Sequence, residues 1–193
     1  QRFEELDKQY QDLIKSKSDY ENIVNSMERQ MKTLFTKTFN EINANFKNVF
    51  SELFGGGTAE LILTDKENVL ESGIEINVAP PGKIIKNLSL LSGGEQVFVA
   101  IALFFAILKV TPAPFCLLDE IEAALDEVNV ARFANYAKKY SDKTQFIIIS
   151  HRRGTMEEAD TLYGVMMQEK GISSLLSIKV NEVEEKLGIK NIK

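Results

Sequence analysis

Two short apolar runs of this 193-residue chain end in polar side chains that could do chemistry. Asp119 and Glu120 follow the run "PFCLL", and His151 follows the run "QFIIIS". In open α/β sheets, ligands bind beyond the carboxyl ends of the strands, so neighbouring strands would bring these three residues to one edge. There, one carboxylate could help to hold Mg²⁺, and the other could act as a base beside an attacking water molecule. Acidic pairs are also common at strand ends without such a role, so the pair alone leaves a structural explanation open.

The stretch Ser92-Gly93-Gly94-Glu95 stands before a long apolar run and predicts the start of a helix. The first turn of a helix offers unpaired N–H groups and about half a positive charge, which attract anions. Gly93 and Gly94 would let the backbone approach a phosphate closely, and the Ser92 hydroxyl could donate a hydrogen bond. The same residues fit a capping box between Ser92 and Glu95. The two interpretations are compatible, because a capped helix end can still bind a phosphate across an interface.

A long N-terminal helix is the first element that must position these residues. Residues 1–54 contain neither Gly nor Pro, and their apolar side chains recur in alternating steps of three and four. This spacing is typical of a coiled coil. After Met31, two successive steps of four shift the apolar seam, as happens where a coiled coil passes into a globular contact. We therefore expect a coiled-coil arm stub and neck helix over 1–54 and a globular unit over 55–193. A long helix packed along a bundle is the alternative.

The globular unit has the element order of an α/β fold. An amphipathic helix lies between the two apolar runs, which is the order of a βαβ unit with a parallel sheet. Because residues 115–118 are fully apolar and residues 146–149 are too, we expect buried central strands in both runs. The predicted elements, in chain order, are a β-hairpin of strands at 58–64 and 73–79, a buried helix at 93–110, a strand at 115–118, a helix at 126–140, and strands at 145–150, 161–168 and 172–180.

Composition narrows the class of protein. A net charge of −5 argues against a uniformly basic nucleic-acid-binding surface, although single basic residues could contact phosphates. Cys116 is the only cysteine, lies in an apolar run, and is expected to be a small core residue; the lack of an internal disulfide fits a reducing compartment. Nothing resembles a signal peptide, and the apolar run 97–110 is shorter than the roughly 20 residues of a membrane span. We expect a cytoplasmic fragment of a longer protein, with no membrane partner.

Four motifs in fixed order relate the chain to a known family. "LSGGEQ", "FCLLDE", "AALD" and "SHR" have the order and spacing of the signature motif, Walker B, D-loop and switch histidine of ABC-type ATPases. With the coiled-coil helix in front, and with the runs "PFCLLDEIEAALDEVNV" and "SHRRGTMEEADTLYGVMMQEKG", nearly the whole chain resembles the C-terminal head half of bacterial SMC (structural maintenance of chromosomes) proteins. Gln96 departs from the family pattern, which usually has Arg there. No G-x-x-x-x-G-K-[ST] phosphate loop occurs, and the resemblance implies that this Walker A loop lies in an N-terminal head half.

By this resemblance, the chain is one half of a composite ATP hydrolase that uses ATP and Mg²⁺. The implied fold is the C-terminal half of an ABC-type head, with a parallel sheet flanked by helices, a β-hairpin and the long coiled-coil helix. Asp119 would help to hold Mg²⁺, Glu120 would activate the attacking water, and His151 would contact the γ-phosphate. The residues implied to act across a head–head interface are Ser92, Gly93, Gly94 and Glu95, against ATP on the opposite head, and Asp126, between the two sites.

The resemblance also implies partners and a cellular role. The partners are the N-terminal head half of the same polypeptide, a second SMC head in a homodimer, a kleisin subunit docked on the tail strands, and DNA. ATP-dependent head engagement and hydrolysis would drive chromosome condensation and segregation by a cytoplasmic, nucleoid-associated protein. Two alternatives stay open: a coiled-coil ABC-type ATPase of DNA double-strand-break repair, and a noncatalytic coiled-coil scaffold.

Overall fold

The computed structural model describes residues 2–84 and 87–179 and has the predicted α/β character. The strands and helices fall within a few residues of their predicted bounds, and the end of the last predicted strand, Val180, lies outside the described residues. The elements in chain order are α1 (Arg2–Phe54), β1 (Thr58–Leu63), β2 (Ile74–Ala79), a 3₁₀ turn (Leu88–Leu90), α2 (Gly93–Val110), β3 (Phe115–Asp119), α3 (Glu127–Tyr140), β4 (Gln145–Ile149), α4 (Arg153–Glu157), β5 (Thr161–Glu169) and β6 (Ile172–Lys179).

Helix α1 changes from exposed to buried along its length. Its N-terminal apolar seam lies open to solvent, and Phe3, for example, is 80% exposed. Partial burial begins at Phe35, just after the seam shifts, and the last turns are fully buried through Phe46, Val49 and Phe50. The shift in apolar spacing therefore coincides with the point at which the helix begins to pack against the rest of the chain.

The β1–β2 hairpin is fastened to the buried end of α1. The strands pair antiparallel, as predicted, from Thr58 opposite Ala79 to Leu63 opposite Ile74. The Asn43 side chain donates from Nδ2 to the Leu61 carbonyl at 3.0 Å and accepts from the Leu61 N–H at 2.9 Å. This pair of hydrogen bonds satisfies both backbone groups of Leu61 that face the helix, and it fixes the hairpin to α1.

Helix α2 forms the centre of the core. The Phe54 ring lies between Phe50 of α1, at 4.2 Å between ring centroids, and Phe98 of α2, at 4.7 Å. Further along α2, Phe105 packs against Tyr136 of α3 at 4.8 Å and Phe146 of β4 at 5.9 Å. In the described part of the chain, α2 is the one helix long and apolar enough to suit a membrane span, and here it serves as the core helix.

Strands β3 and β4 are connected through α3 and pair directly in parallel, which completes the predicted βαβ unit. The register runs from Phe115 opposite Gln145 to Asp119 opposite Ile149. The expectation that both strands are buried is wrong for one face of this sheet: Phe115 and Leu117 are 60% and 62% exposed. The other face packs against the core through Leu118 and its neighbours. The reason is that the described residues supply no layer over the outer face.

The two predicted tail strands form a second hairpin, β5–β6, which pairs antiparallel from Thr161 opposite Lys179 to Glu169 opposite Ile172. The sequence predicted these strands but not their pairing. Most of the hairpin's apolar side chains, such as Tyr163 and Leu175, are exposed. Short helix α4 has no counterpart in the sequence-based prediction. It packs on α3 so closely that a Cβ at Gly154 would lie 3.2 Å from Val130 Cγ1.

Candidate functional site

The parallel pairing of β3 and β4 brings Glu120 and His151 into contact. Glu120 Oε1 lies 3.3 Å from His151 Nδ1, and both side chains are more than half exposed. Glu120 immediately follows β3, and His151 is the second residue after β4. The pairing of the two strands therefore sets the separation of these side chains. An accessible carboxylate next to an imidazole can accept a proton from a bound water molecule or orient it.

Glu120 also has an unusual backbone conformation. Its φ of 47° makes it the only non-glycine residue with positive φ among the described residues. Its N–H donates to the Ile149 carbonyl at 3.0 Å, which extends the β3–β4 pairing by one hydrogen bond. A left-handed conformation costs a glutamate about 1–3 kcal/mol, and such strain concentrates at functional sites. The backbone therefore turns sharply out of β3 at Glu120, the candidate base.

Asp119 is the last residue of β3, and its side chain is exposed at the same edge. Within residues 2–84 and 87–179, it forms no salt bridge, and no three His, Cys, Asp or Glu residues cluster closely enough to hold a metal alone. Mg²⁺ is usually bound through one or two carboxylates together with water and phosphate oxygens. Asp119 therefore fits the part of a single carboxylate ligand that acts with a phosphate-bearing substrate.

The N-terminus of α2 contains the predicted capping box. The Glu95 N–H donates to Ser92 Oγ at 3.4 Å, and the Ser92 N–H donates back to Glu95 Oε2 at 3.1 Å. Lys83 Nζ lies 2.6 Å from Glu95 Oε1. The pKa of Glu95 is lowered, chiefly by the hydrogen bond from Lys83 and then by those from Ser92, which outweigh partial burial. Glu95 is thus held as a carboxylate within the cap.

The two signature glycines have different surroundings. A Cβ at Gly94 would lie 2.8 Å from the Ala124 carbonyl oxygen, so packing within this chain already requires glycine there. A Cβ at Gly93 would meet no atom within 4 Å. Gly93 therefore leaves open backbone at the helix start, where an anion from outside the chain could approach.

Asp126 caps α3. The Asn129 N–H donates to Asp126 Oδ1 at 2.8 Å, and the Asn129 side chain donates to Oδ2 at 3.0 Å. Asp126 itself is exposed. The cap fixes the carboxylate at the start of the helix, next to the segment that packs over Gly94.

Glu122, two residues after Glu120, was not singled out by sequence reasoning. Glu122 is fully buried and accepts from the Thr155 hydroxyl at 3.1 Å, and Arg152 Nη2 donates to the Leu125 carbonyl. No sequence signal marks Glu122, because a charged residue in a short connecting segment is normally solvated.

Gln96, the departure from the family pattern, donates to the carbonyls of Leu88 at 3.2 Å and Leu91 at 3.1 Å. It therefore ties the 3₁₀ turn to α2.

Comparison with known proteins supports the resemblance. A family model described as "RecF/RecN/SMC N terminal domain" matches residues 5–174. The chain is 55% identical over 185 residues to the chromosome partition protein Smc of Bacillus subtilis (strain 168), which corresponds to 96% of this chain and 16% of that protein. The chain therefore spans only about a sixth of this curated relative.

Solved structures give the same result. One chain, from work headed "Structural biochemistry of ATP-driven dimerization and DNA stimulated activation of SMC ATPases", is 41% identical, with a TM-score of 0.70 over 83% of this chain and 99% of that chain. A second is the Smc head domain with an extended coiled coil, bound to the C-terminal domain of ScpA, from Pyrococcus furiosus. It is 40% identical, with a TM-score of 0.77 over 86% of this chain and 42% of that chain. The motif order, the fold and these matches agree, and the chain belongs to the RecF/RecN/SMC N-terminal domain family.

Proposed function

We propose that this chain is the C-terminal half of the ATPase head of a bacterial chromosome partition Smc protein, with an arm stub over 1–54 and the head half over 55–193. The observation that carries the proposal is the contact between Glu120 and His151 at the ends of two parallel strands. The chain lacks a phosphate loop, so a hydrolytic site built on this contact needs another segment to hold the nucleotide. The alignment with less than half of the coiled-coil head from Pyrococcus furiosus supports this division.

Glu120 is the base of the proposed site. Its carboxylate accepts a proton from the water that attacks the γ-phosphate of ATP, or orients that water. His151, at 3.3 Å, holds the carboxylate in place and contacts the γ-phosphate. Asp119 helps to hold Mg²⁺, which when bound offsets the charge of the phosphate oxygens.

The N-terminus of α2 faces the nucleotide of a second head. The exposed Ser92 hydroxyl and the open backbone at Gly93 suit an approaching γ-phosphate. Glu95 keeps this helix start in shape through the capping box, while Gly94 seats it against the segment that leads to Asp126. Asp126 then lies between the two sites of the head dimer. The solved relative described by its ATP-driven dimerisation supports this arrangement.

The N-terminal head half covers the outer face of the β3–β4 sheet. Parallel sheets are almost always covered on both faces, and this one leaves Phe115, Leu117, Ile147 and Ile149 exposed on one side. The exposed apolar seam of α1 pairs in the same way with the returning arm of the coiled coil. Both apolar surfaces thus have an occupant in the same polypeptide.

The cellular role follows from the relatives. ATP binding joins two heads, and hydrolysis releases them, so that the arms open and close around chromosomal DNA during condensation and segregation. The ScpA-bound relative supports a kleisin partner, for which the exposed β5–β6 hairpin is the proposed surface. The protein acts in the cytoplasm, at the nucleoid. Relatives named as chromosome partition proteins favour this role over double-strand-break repair, and the retained Asp119, Glu120 and His151 favour it over a noncatalytic scaffold.

ATP hydrolysis by the joined halves tests the proposal. The chain alone should show no turnover, whereas co-expression with the N-terminal half of the same protein should give an active head. In that head, Glu120→Gln should slow phosphate release by about 10²-fold or more, because an amide cannot act as the base. The Glu120→Gln head should retain ATP and form an ATP-dependent dimer. Size-exclusion chromatography with light scattering measures the dimer.

Asp119→Ala is the matched comparison in the same assays. It should weaken productive Mg·ATP binding and give no ATP-dependent dimer, since its charge acts on the bound state. Robust turnover by the chain alone, lost in Glu120→Gln, would overturn the split site. Wild-type turnover by the Glu120→Gln head would show that Glu120 is not the base.

A further inference from the structure

The segment from Glu120 to Asp126 is held in place by the elements around it. At its start, the Glu120 N–H donates to the Ile149 carbonyl of β4. In its middle, the Ala124 carbonyl lies against Gly94 at the start of α2. Two further contacts come from the residues that follow His151. Four contacts therefore fix a short segment that contains the proposed base at one end and the α3 cap at the other.

The first of these two contacts is buried. Glu122 is 0% exposed and Thr155 is 7% exposed, and the Thr155 hydroxyl donates to Glu122 Oε1 at 3.1 Å. Both residues are buried by this chain alone, so the contact does not depend on another head half to exclude water. A hydrogen bond to a carboxylate in such surroundings is stronger than one in water.

The second contact comes from Arg152, the residue after His151. Its Nη2 donates to the Leu125 carbonyl, and its own N–H donates to Ser150 Oγ at 3.0 Å. Arg152 therefore links the end of β4 to the residue before Asp126. A displacement of His151 would therefore move the 120–126 segment at two points, namely Leu125 through Arg152 and Glu122 through Thr155.

These contacts are poorly suited to stability alone. Glu122 Oε2 and Arg152 Nε are both buried without a hydrogen-bond partner in the described part of the chain. Buried polar atoms without partners are uncommon in folded proteins, and each one calls for an explanation other than stability. Apolar side chains of similar shape at positions 122 and 152 would fill the same space and leave no unpaired polar atom.

We propose that Glu122, Arg152 and Thr155 are positioning residues that couple the His151 end of β4 to the Glu120–Asp126 segment. They keep Glu120 in its left-handed conformation beside His151, and they link that geometry to the position of Asp126. This assignment rests on the proposed function for its effect on hydrolysis. Its structural content, the coupling of the two segments, can be measured separately.

The test compares two buried threonines in the full-length protein. Thr155→Val removes the hydroxyl bound to Glu122, and Thr144→Val removes one that donates to the Ala113 carbonyl at 2.8 Å, with 1% exposure, near the opposite end of the sheet. In Thr155→Val, amide hydrogen exchange over residues 120–126 should rise, and kcat for ATP should fall by at least about 10-fold with little change in KM. Thr144→Val should lower the melting temperature comparably and change neither readout, and Thr155→Ser should restore both.

A double variant separates positioning from stability. In Glu122→Leu/Thr155→Val, both polar partners are replaced by apolar groups, so the melting temperature should recover, while kcat should stay low. Recovery of kcat together with stability would overturn the positioning role. Unchanged exchange over 120–126 in Thr155→Val would overturn the coupling whether or not the protein hydrolyses ATP. A wild-type protein without ATPase activity, in which Thr155→Val still raises exchange, would contradict the proposed function and leave the coupling supported.

Discussion

The two sides of the core differ in how much of their packing this chain supplies. On the helical side, Phe50 and Phe98 are completely buried where α1, α2 and the first hairpin meet. On the sheet side, Phe115 and Leu117 of β3 have the same apolar character but lie open on the outer face. Within residues 2–84 and 87–179, the first region is complete, whereas the second lacks a layer over its outer face.

The difference separates the fold from the candidate chemistry. The complete region anchors the end of α1 to α2 and the first hairpin through contacts within the described residues. The incomplete region carries Glu120 and His151 at its edge. A site placed at the edge of an unfinished sheet depends on the segment that completes the sheet. Under the proposed function, hydrolysis therefore depends on assembly with that segment, whereas the packing of the last turns of α1 does not.

Ser92→Arg should have the largest effect, although Ser92 belongs to the complete region. In a head joined to its N-terminal half, the variant should bind ATP nearly as well as the wild type but should not dimerise. An arginine at the helix start would fill the space that we assign to the opposite head's nucleotide. Nucleotide-binding assays and light scattering with ATP measure the two effects. Loss of ATP binding in the monomeric head would instead place Ser92 in the resident site.

Two phenylalanine truncations compare the regions directly. Phe50→Ala should lower the free energy of unfolding of the chain by about 3–5 kcal/mol, because it leaves a cavity in a closed core. Phe115→Ala should change it by less than about 0.5 kcal/mol, because that side chain is exposed. Urea unfolding followed by circular dichroism gives both values. In the joined head, Phe115→Ala should become clearly destabilising; equal effects of the two truncations in the chain alone would refute the comparison.

The two signature glycines should respond differently to alanine. Gly94→Ala should destabilise the chain by about 1–3 kcal/mol, because the new Cβ would lie 2.8 Å from the Ala124 carbonyl oxygen. Gly93→Ala should change the stability by less than about 0.5 kcal/mol, since no atom lies within 4 Å of its Cβ position. Thermal unfolding measures this difference. In the joined head, Gly93→Ala should nevertheless weaken ATP-dependent dimerisation, and a fully active Gly93→Ala dimer would remove Gly93 from the proposed interface.

The smallest expected effect concerns the acid stability of the α2 cap. The pKa of Glu95 is lowered in the folded chain, first by Lys83, so its ionised form adds stability above its ordinary pKa near 4.5. This contribution is lost as the pH falls through the lowered folded-state pKa. Lys83→Gln should therefore reduce the free energy of unfolding at pH 7 by about 0.5–1 kcal/mol and flatten its decrease below pH 4.5.

Urea unfolding at several pH values from neutral to acid provides the measurement for this last prediction. Lys66→Gln makes the same change of charge in the loop between β1 and β2 and serves as the control. It should leave the pH dependence unaltered. An acid limb that is as steep in Lys83→Gln as in the wild type would mean that the Lys83–Glu95 contact does not stabilise the cap.

Much of the fold could be predicted because it depends on local patterns. The spacing of apolar residues in 1–54 gave the long helix and the point where it begins to pack. Ser92 with Glu95 predicted the cap of α2, which the structure contains. Two apolar runs with a helix between them indicated a parallel pair, and from that pairing followed the shared edge of Glu120 and His151. Such features need only neighbouring residues and the handedness of the connection.

What the sequence left open depends on contacts between residues distant along the chain. An apolar run predicts burial, but whether Phe115 is covered depends on which layers surround the sheet. The left-handed φ of Glu120 accompanies its hydrogen bond to Ile149 at the end of β4, and Glu122 is buried where Thr155 of α4 donates to it. Likewise, Gly93 and Gly94 are identical in the sequence, and only the approach of the Ala124 carbonyl makes glycine necessary at one of them. Residue type fixes the chemistry a side chain can do, whereas its surroundings, and with them its role, are set by tertiary packing.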